Sequence, residues 1–586
     1  MNLKRSWLRG KAVGFAAVLL LSVSFFGGWF AESLIGDDYY YEVKRGIRLF
    51  GDVYKNITEK YVDEISPKDF MRTGIDGLLS TLDPYTVYYE GDESNDLDAL
   101  MMGKYGGIGI SVGIKEGYIT VITTLDGSPA QRAGILPGDR IVSVNGLTAH
   151  DISLQQMSNY VKGEPGTKVK LTVLREGQDH RLDFELIREM IAVENIAYAG
   201  MINGTVGYIK ITKFSKTANY DFVRALKDLK QEGMQSLILD LRGNPGGLLD
   251  AAIDVTNQFV KKGEIITYTK GRMADASRNY AALNDPLFPD LPLVVLVDGG
   301  SASASEIVAG GLQDLDRGVI IGATTFGKGL VQTVYPLQER DAVIKITTAK
   351  YFTPSGRCIQ KEDYAARRLH KQEQPAEDDE RESYDTFGTG DSTPDTSDNI
   401  QDSVKAKQVF KTAGGRKVYA DGGITPDIEI LNEEFTVYFR EILKRGLIFD
   451  FATNFVAHHA QIDSGFTVDE KTLDEFSKFL TSKNFNYVSI AERQIEEIAV
   501  LSKKNNFEEA TTRKIVELRE QLRTEKQKDF VNSKQFIKAA LEQEIVSRYF
   551  GNRGRILRSF KYDPAYQEAL TLLKDHEKYR QVLAGK

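Results

Sequence analysis

Residues Leu291 to Tyr335 read LPLVVLVDGGSASASEIVAGGLQDLDRGVIIGATTFGKGLVQTVY, and this stretch decides the fold. Its apolar, β-branched run Leu293 to Val297 is short enough for a buried strand. Gly299 and Gly300 end that strand. The Ser-Ala-Ser-Ala-Ser segment then leads into Glu306-Ile307-Val308-Ala309, and Leu312 continues a helical apolar spacing. A second strand is expected over Val319 to Ile321, then the turn Gly327-Lys328-Gly329, then a third strand from Leu330 to Val334. A small hydroxyl at a strand-to-helix corner can act as a nucleophile. The unpaired N–H groups of the helix start can hold the oxyanion it generates.

The residues admit three interpretations. Ser303-x-x-Glu306 has the spacing of a helix capping box, which needs no catalysis. Gly322-Ala-Thr-Thr-Phe-Gly327-Lys328 fits most of a phosphate-binding loop, but Gly329 stands where that loop needs Ser or Thr, and a strand-like run follows instead of a helix. The nucleotide interpretation fails on both counts. In the third, a serine is paired with Lys328 as general base. A lysine can do this only as the free amine, so burial has to lower its pKa. The flanking glycines would let the backbone pack closely enough to bury it.

SASASEIVAGGLQD followed by TTFGKGLVQ resembles the carboxyl-terminal processing peptidases, or tail-specific proteases, and the similarity extends from about Phe50 to Ile430. The resemblance implies that Ser303 is the nucleophile and that Lys328, 25 residues later, is its base. It also implies that Gln332, four residues after Lys328, is oriented toward it. The turn Leu241-Arg242-Gly243-Asn244-Pro245-Gly246-Gly247 exposes N–H groups before a helix, an arrangement suited to anions. In the family, one glycine of this pair and the residue after the nucleophile, here Ala304, donate to the oxyanion. The sequence leaves the choice between Gly246 and Gly247 open.

A chain of 586 residues exceeds what one core can organise, and three or four domains are expected. A net charge of -8 and a pI near 5.6 argue against a nucleic-acid partner. The single cysteine, Cys358, rules out an intramolecular disulfide. None of the six histidines has a spacing that suits a Ser-His-Asp site or a metal, and the chemistry calls for no metal, nucleotide or other cofactor. Lys4, Arg5, Arg9 and Lys11 precede an uncharged run from Ala12 to Ala31 that is long enough to span a bilayer. The charge bias puts the tip in the cytoplasm and the bulk outside. An uncleaved anchor in a bacterial inner membrane, with the bulk in the periplasm, is favoured over a cleaved signal, because Trp29-Phe30-Ala31 is a poor cleavage site.

In chain order, residues 1–34 form the tip and anchor or signal, and 35–95 a helical lead-in stopped at Leu82-Asp83-Pro84-Tyr85. Residues 96–190 resemble a PDZ domain. In that segment Tyr105-Gly106-Gly107-Ile108-Gly109-Ile110 matches the carboxylate-binding loop, and Ser128 to Ile141 the helix and turn after it. Such a loop can hold a terminal carboxylate on successive N–H groups while the peptide adds a strand to the sheet edge. Residues 191–431 alternate β and α signals, and the resemblance implies a crotonase-like protease core. An acidic, polar insert over about 361–405 is expected to be disordered. Residues 432–586 read as a helical bundle for packing, dimerisation or access control. The expected whole is a multidomain α/β serine endopeptidase that cleaves proteins near their C-termini. Its partners are protein substrates with exposed tails, the inner membrane, and possible homo-oligomer or activating subunits. The alternative is a catalytically silent PDZ scaffold or chaperone.

Overall fold

The computed structural model describes residues 39–338, 341–361, 364, 408–420, 422–430, 434–505 and 508–585. The expected anchor over 12–31 and nearly all of the acidic insert lie outside the described residues. Among the described residues, no helix is long and apolar enough to cross a membrane. The chain divides into two units, one ending at Tyr88 and one beginning at Tyr89.

The first unit contains a helix over residues 39–60 and a second over Pro67–Leu79, capped by Ser66 and started by proline. Tyr54 and Phe70 stack between them. The turn at Leu82-Asp83-Pro84-Tyr85 has a physical cause: the Asp83 carboxylate accepts from the Tyr85 N–H (2.9 Å), the Thr86 N–H (3.1 Å) and the Thr86 hydroxyl (3.0 Å).

In the second unit, the protease core is a six-stranded sheet. Its strands run Ile196–Ile202, Val206–Ile211, Ser236–Asp240, Leu293–Val297, Val319–Gly322 and Ile428–Glu429, side by side in chain order. The first pair is antiparallel and the rest are parallel. Parallel neighbours joined by right-handed crossovers in sequential order place every crossover helix on the same face. Helices Ala218–Gln231, Leu249–Thr256 and Ala304–Asp314 accordingly share one face and pack on Ile209, Leu239, Val295 and Val297. Side chains alternate along a strand, so Val294 and Leu296 point the other way.

A parallel sheet has to be covered on both faces. Here the second cover comes from the far end of the chain: Phe560, Tyr566, Ala569, Leu572, Leu573 and Tyr579 pack on Tyr208, Ile238, Val294, Leu296 and Ile321. Tyr579 also donates to the Leu293 carbonyl (3.1 Å) and accepts from its N–H (3.0 Å). Of the roles expected for the C-terminal helices, packing is therefore the one the fold displays, and it is packing of the protease core itself. The basic cluster Arg553 to Lys561 is partly paired: Arg555 bridges Glu544, and Arg558 and Lys561 approach the buried Glu542.

A PDZ domain is inserted ahead of this core. Its sheet comprises Ile110–Lys115, Tyr118–Thr124, Arg140–Val144, Lys168–Leu174 and Leu182–Ile187, with Leu147–Thr148 at the side and a helix at Leu154–Val161. Entry and exit are zipped together by pairing of Lys104–Gly107 with Glu189–Ala192. A separate helical cluster centres on Phe439, Phe451, Phe476, Leu541 and Ile545. It meets the PDZ domain through the Lys115–Asp450 ion pair (2.8 Å) and the Lys483–Glu116 pair (3.0 Å). Overall, the chain is a mixed α/β protein in which a protease core carries an inserted PDZ domain, N-terminal helices and a C-terminal helical domain.

Leu572 is fully buried against the second sheet face. Leu572→Ala is expected to lower the unfolding free energy by about 2–5 kcal/mol in a denaturant titration. A change below 1 kcal/mol would mean that the C-terminal helices do not cover the sheet.

Candidate active site

Four segments converge at the C-terminal ends of the parallel strands. Ser303 is the corner between the strand Leu293–Val297 and the helix Ala304–Asp314, with φ of +55°. That region is costly for a residue with a Cβ and is retained only where the surroundings enforce it. Of the capping box, the carboxylate arm is made: the Ser303 N–H donates to Glu306 Oε2 (2.7 Å). The first-turn N–H groups of Glu306 and Ile307 go to the Ser303 carbonyl (2.9 and 3.0 Å). This leaves the Ser303 hydroxyl without a hydrogen-bond partner among the described residues. The other two serines are fully buried and committed. Ser301 Oγ donates to the Leu241 carbonyl (2.9 Å), and Ser305 Oγ to the Asn244 carbonyl (2.9 Å). Only the middle serine is available for chemistry.

Glu306 does more than cap. Oε1 accepts from the Thr325 hydroxyl (2.6 Å) and the Gly327 N–H (2.7 Å), while Oε2 accepts from the Ser303 N–H and the Lys328 N–H (3.0 Å). One buried carboxylate oxygen thus holds the backbone of both predicted dyad residues. Burial pushes the Glu306 carboxyl above the ordinary glutamate value, and the bonds from Thr325, Gly327, Ser303 and Lys328 pull against that shift. Beneath it Tyr351 is fully enclosed. Its hydroxyl donates to the Ser303 carbonyl (3.2 Å), and burial, then the charges of Glu306 and Cys358, keep the phenol protonated.

The glycines around Lys328 let the backbone pack closely. A Cβ on Gly327 would lie 2.7 Å from the Gly422 carbonyl oxygen, and one on Gly329 would lie 2.8 Å from the Gln360 N. Lys328 itself is half-buried between them. Gln332 lies on the strand Leu330–Pro336, just past a register shift at Val331, and its amide donates to Thr347 Oγ1 (3.3 Å).

The loop Leu241–Gly247 is clamped onto the serine corner by Asn244. The Asn244 carbonyl accepts from the Ala302 N–H (3.0 Å) and the Ser305 hydroxyl, and its side chain bonds the Ile211 carbonyl (3.0 Å) and the Gly246 N–H (2.9 Å). A Cβ on Gly246 would strike Ala302, Ser303 and Ala304 within 2.9 Å, so this position has to be glycine. The two glycines left open by the sequence differ here. The Gly246 N–H is spent on Asn244, whereas the N–H groups of Gly247 and Ala304 meet no acceptor among the described residues.

In the PDZ domain, a groove of about 290 Å³ lies between Ile110–Lys115 and the helix Leu154–Val161, lined in part by Tyr105, Ile108, Gly109 and Ile110. The carbonyls of Ile108 and Gly109 are taken from behind by the Ala130 (3.0 Å) and Leu125 (2.9 Å) N–H groups. Gly106 and Gly107 do not line the groove. They pair with Met190 and Glu189, and a Cβ on Gly106 would lie 2.1 Å from the Gly163 carbonyl oxygen.

Sequence reasoning took Glu306 for an ordinary cap and passed over Thr325, Asn244 and Tyr351. The S-x-x-E spacing was the visible trace of Glu306. The others contact the site through chain segments that no local pattern connects.

Fold and site together define a serine-type peptidase. Residues 205–366 match peptidase family S41, residues 121–175 a PDZ domain, and residues 438–573 the C-terminal helical domain of a probable PDZ-protease. A carboxy-terminal-processing protease of Bartonella bacilliformis is 38% identical over 354 residues, covering 60% of this chain and 80% of that protein. The carboxy-terminal processing protease CtpA of Bacillus subtilis is 35% identical over 309 residues, 53% of this chain and 65% of that one. A solved photosystem II D1 C-terminal processing protease aligns with 27% identity and a TM-score of 0.32, over 53% of this chain and 89% of that one. The chain belongs to the carboxy-terminal processing protease family, within peptidase family S41.

Glu306→Gln replaces one acceptor oxygen by an NH₂ group facing N–H donors. It is expected to cost about 2 kcal/mol or more of stability and to reduce peptidase activity, because an unmet buried donor costs about 1–3 kcal/mol. Chemical unfolding and a cleavage assay measure the two effects. Wild-type values in both would show that the carboxylate does not hold the site together.

Proposed function

We propose that the protein cleaves other proteins near their C-termini with a Ser303–Lys328 dyad, after its PDZ domain has bound the substrate tail. The observation that carries this reading is the shared grip of Glu306 Oε2 on the Ser303 and Lys328 N–H groups at the serine corner. Ser303 Oγ attacks the scissile carbonyl carbon while Lys328 Nζ, as the free amine, takes its proton. The tetrahedral oxyanion is received by the N–H groups of Gly247 and Ala304, and donors aimed at developing charge are worth more there than in water. Collapse expels the leaving amine, which takes the proton back from Lys328. Water then repeats the sequence on the acyl-enzyme. Gln332 orients the lysine.

The PDZ groove takes the tail as an added strand along Ile110–Lys115, with its carboxylate on the N–H groups around Gly109. The uncharged run 12–31, with basic residues before it, supports attachment to a bacterial inner membrane with the bulk of the chain on the periplasmic side.

Full-length protein incubated with an unfolded protein that carries an apolar tail should release defined C-terminal fragments, identified by mass spectrometry. Ser303→Ala should lower kcat by roughly 10⁴-fold or more, and Lys328→Ala should be similarly inactive. Turnover by folded Ser303→Ala protein would refute the dyad. Amidating the substrate's C-terminus should raise KM about tenfold, the loss expected from a charge-assisted bond of about 1.5 kcal/mol, with little change in kcat. An unchanged KM would rule out carboxylate capture by the PDZ groove.

A further inference from the structure

The loop that carries Gly247 is built on glycines in the left-handed region. Gly243, Gly246 and Gly247 all have positive φ (66°, 102° and 150°), so its shape depends on what pins it from outside. On one side the pins are Asn244 and Asp298, whose Oδ1 accepts from the Gly243 N–H (2.9 Å). On the other, the Arg242 N–H donates to Asp240 Oδ1 (2.9 Å), its carbonyl accepts from Lys210 Nζ (3.2 Å), and two carboxylates hold its guanidinium along adjacent edges. Asp240 takes Nε (3.0 Å) and Nη2 (2.7 Å). Burial works against the Asp240 charge, but the Arg242 guanidinium and the Lys210 ammonium hold its carboxyl well below the usual carboxylate range. The second carboxylate is Asp563, whose Oδ1 accepts from Arg242 Nη1 (2.8 Å) and whose Oδ2 lies 2.7 Å from Nη2. Asp563 is 321 residues away in the chain, in the C-terminal helical domain, and only 12% exposed.

We propose that Asp563 is a positioning residue for peptide hydrolysis, acting through Arg242 to hold the Gly247 N–H where the oxyanion forms. This rests on the reading of Gly247 as an oxyanion donor. A guanidinium gripped on both edges cannot swing about its Asp240 pair, so the backbone at the start of the loop is fixed before substrate arrives. A catalytic group is productive only within about 0.5 Å of its required place. With one edge released, the donor is misplaced in the transition state while the substrate's binding contacts are unaltered. The loss therefore falls on kcat.

Asp563 has a second duty that the test has to separate from the first. Its Oδ1 also accepts from the Tyr566 N–H (3.0 Å), capping the helix Pro564–Lys574 that covers the sheet. Asparagine caps as well as aspartate, so Asp563→Asn removes the ionic grip and leaves the cap, while Asp563→Ala removes both. With full-length protein and the unfolded tailed substrate, Asp563→Asn is expected to lose about tenfold in kcat, a fraction of the 10²–10³ that an oxyanion donor is worth. KM should stay within about twofold, and Tm near that of the wild type, whereas Asp563→Ala should lower Tm as well. In a double-mutant cycle, Asp563→Asn combined with Arg242→Gln should be no slower than Arg242→Gln alone, since one acts through the other.

A wild-type kcat in Asp563→Asn, a Tm loss equal to that of Asp563→Ala, or losses that multiply in the double variant would each overturn the proposal while leaving the dyad intact. Activity in Ser303→Ala, assayed alongside, would overturn the reading of the site on which the proposal rests.

Discussion

A single buried carboxylate holds the catalytic segments in register. Glu306 sits in the first turn of the helix behind Ser303 and gathers four donors from two separate segments. A buried charge survives only when its lone pairs are filled, so the requirement works in both directions. The carboxylate needs the lysine loop to approach, and the lysine loop is drawn to the serine corner by that carboxylate. The glycines at 327 and 329 then follow as a steric condition, because the loop has to pass within van der Waals distance of residues 360 and 422 to reach Glu306. Further along the same helix, Asp314 and Gln313 hold the fully buried Arg357, which steadies the segment leading to Gln360 and Lys361. The two ends of one helix thereby fix both sides of the proposed base.

A second constraint acts on the sheet. Strands laid down in chain order with one hand of crossover leave a face bare, and the apolar side chains on it, Tyr208, Ile238, Val294 and Leu296, cannot remain in water. The C-terminal helices meet that need. Once they lie on the sheet, their capping aspartate reaches the rim of the strands, where the glycine loop begins. The contact between Asp563 and Arg242 follows from the covering.

Much of this was legible in the sequence. The strand Leu293–Val297 lies where its apolar pattern puts it, because the run is apolar enough for local pattern to dominate. The serine–lysine pairing came from a resemblance, since spacing alone could not choose between a cap and a nucleophile. The structure shows why: Glu306 is a cap in its hydrogen bonds and a tie between two segments in its consequences. What the sequence could not convey was which surface each amphipathic helix covers. The pattern in Pro564–Lys574 says that one face is buried, and nothing in it names strands that lie far earlier in the chain. The difference between the Gly246 and Gly247 N–H groups was hidden for a similar reason, because it turns on where the Asn244 side chain points.

Tyr579 bonds the backbone of Leu293 across 286 residues, and that span bears on the order in which the molecule can be assembled. Domains form in turn as a chain leaves the ribosome, so the strands that carry the serine corner and the glycine loop emerge long before their second cover exists. Until residues 560–583 have followed, the second face of the sheet is without this cover. The contact of Asp563 with Arg242 likewise forms only when the distal helices close over the sheet.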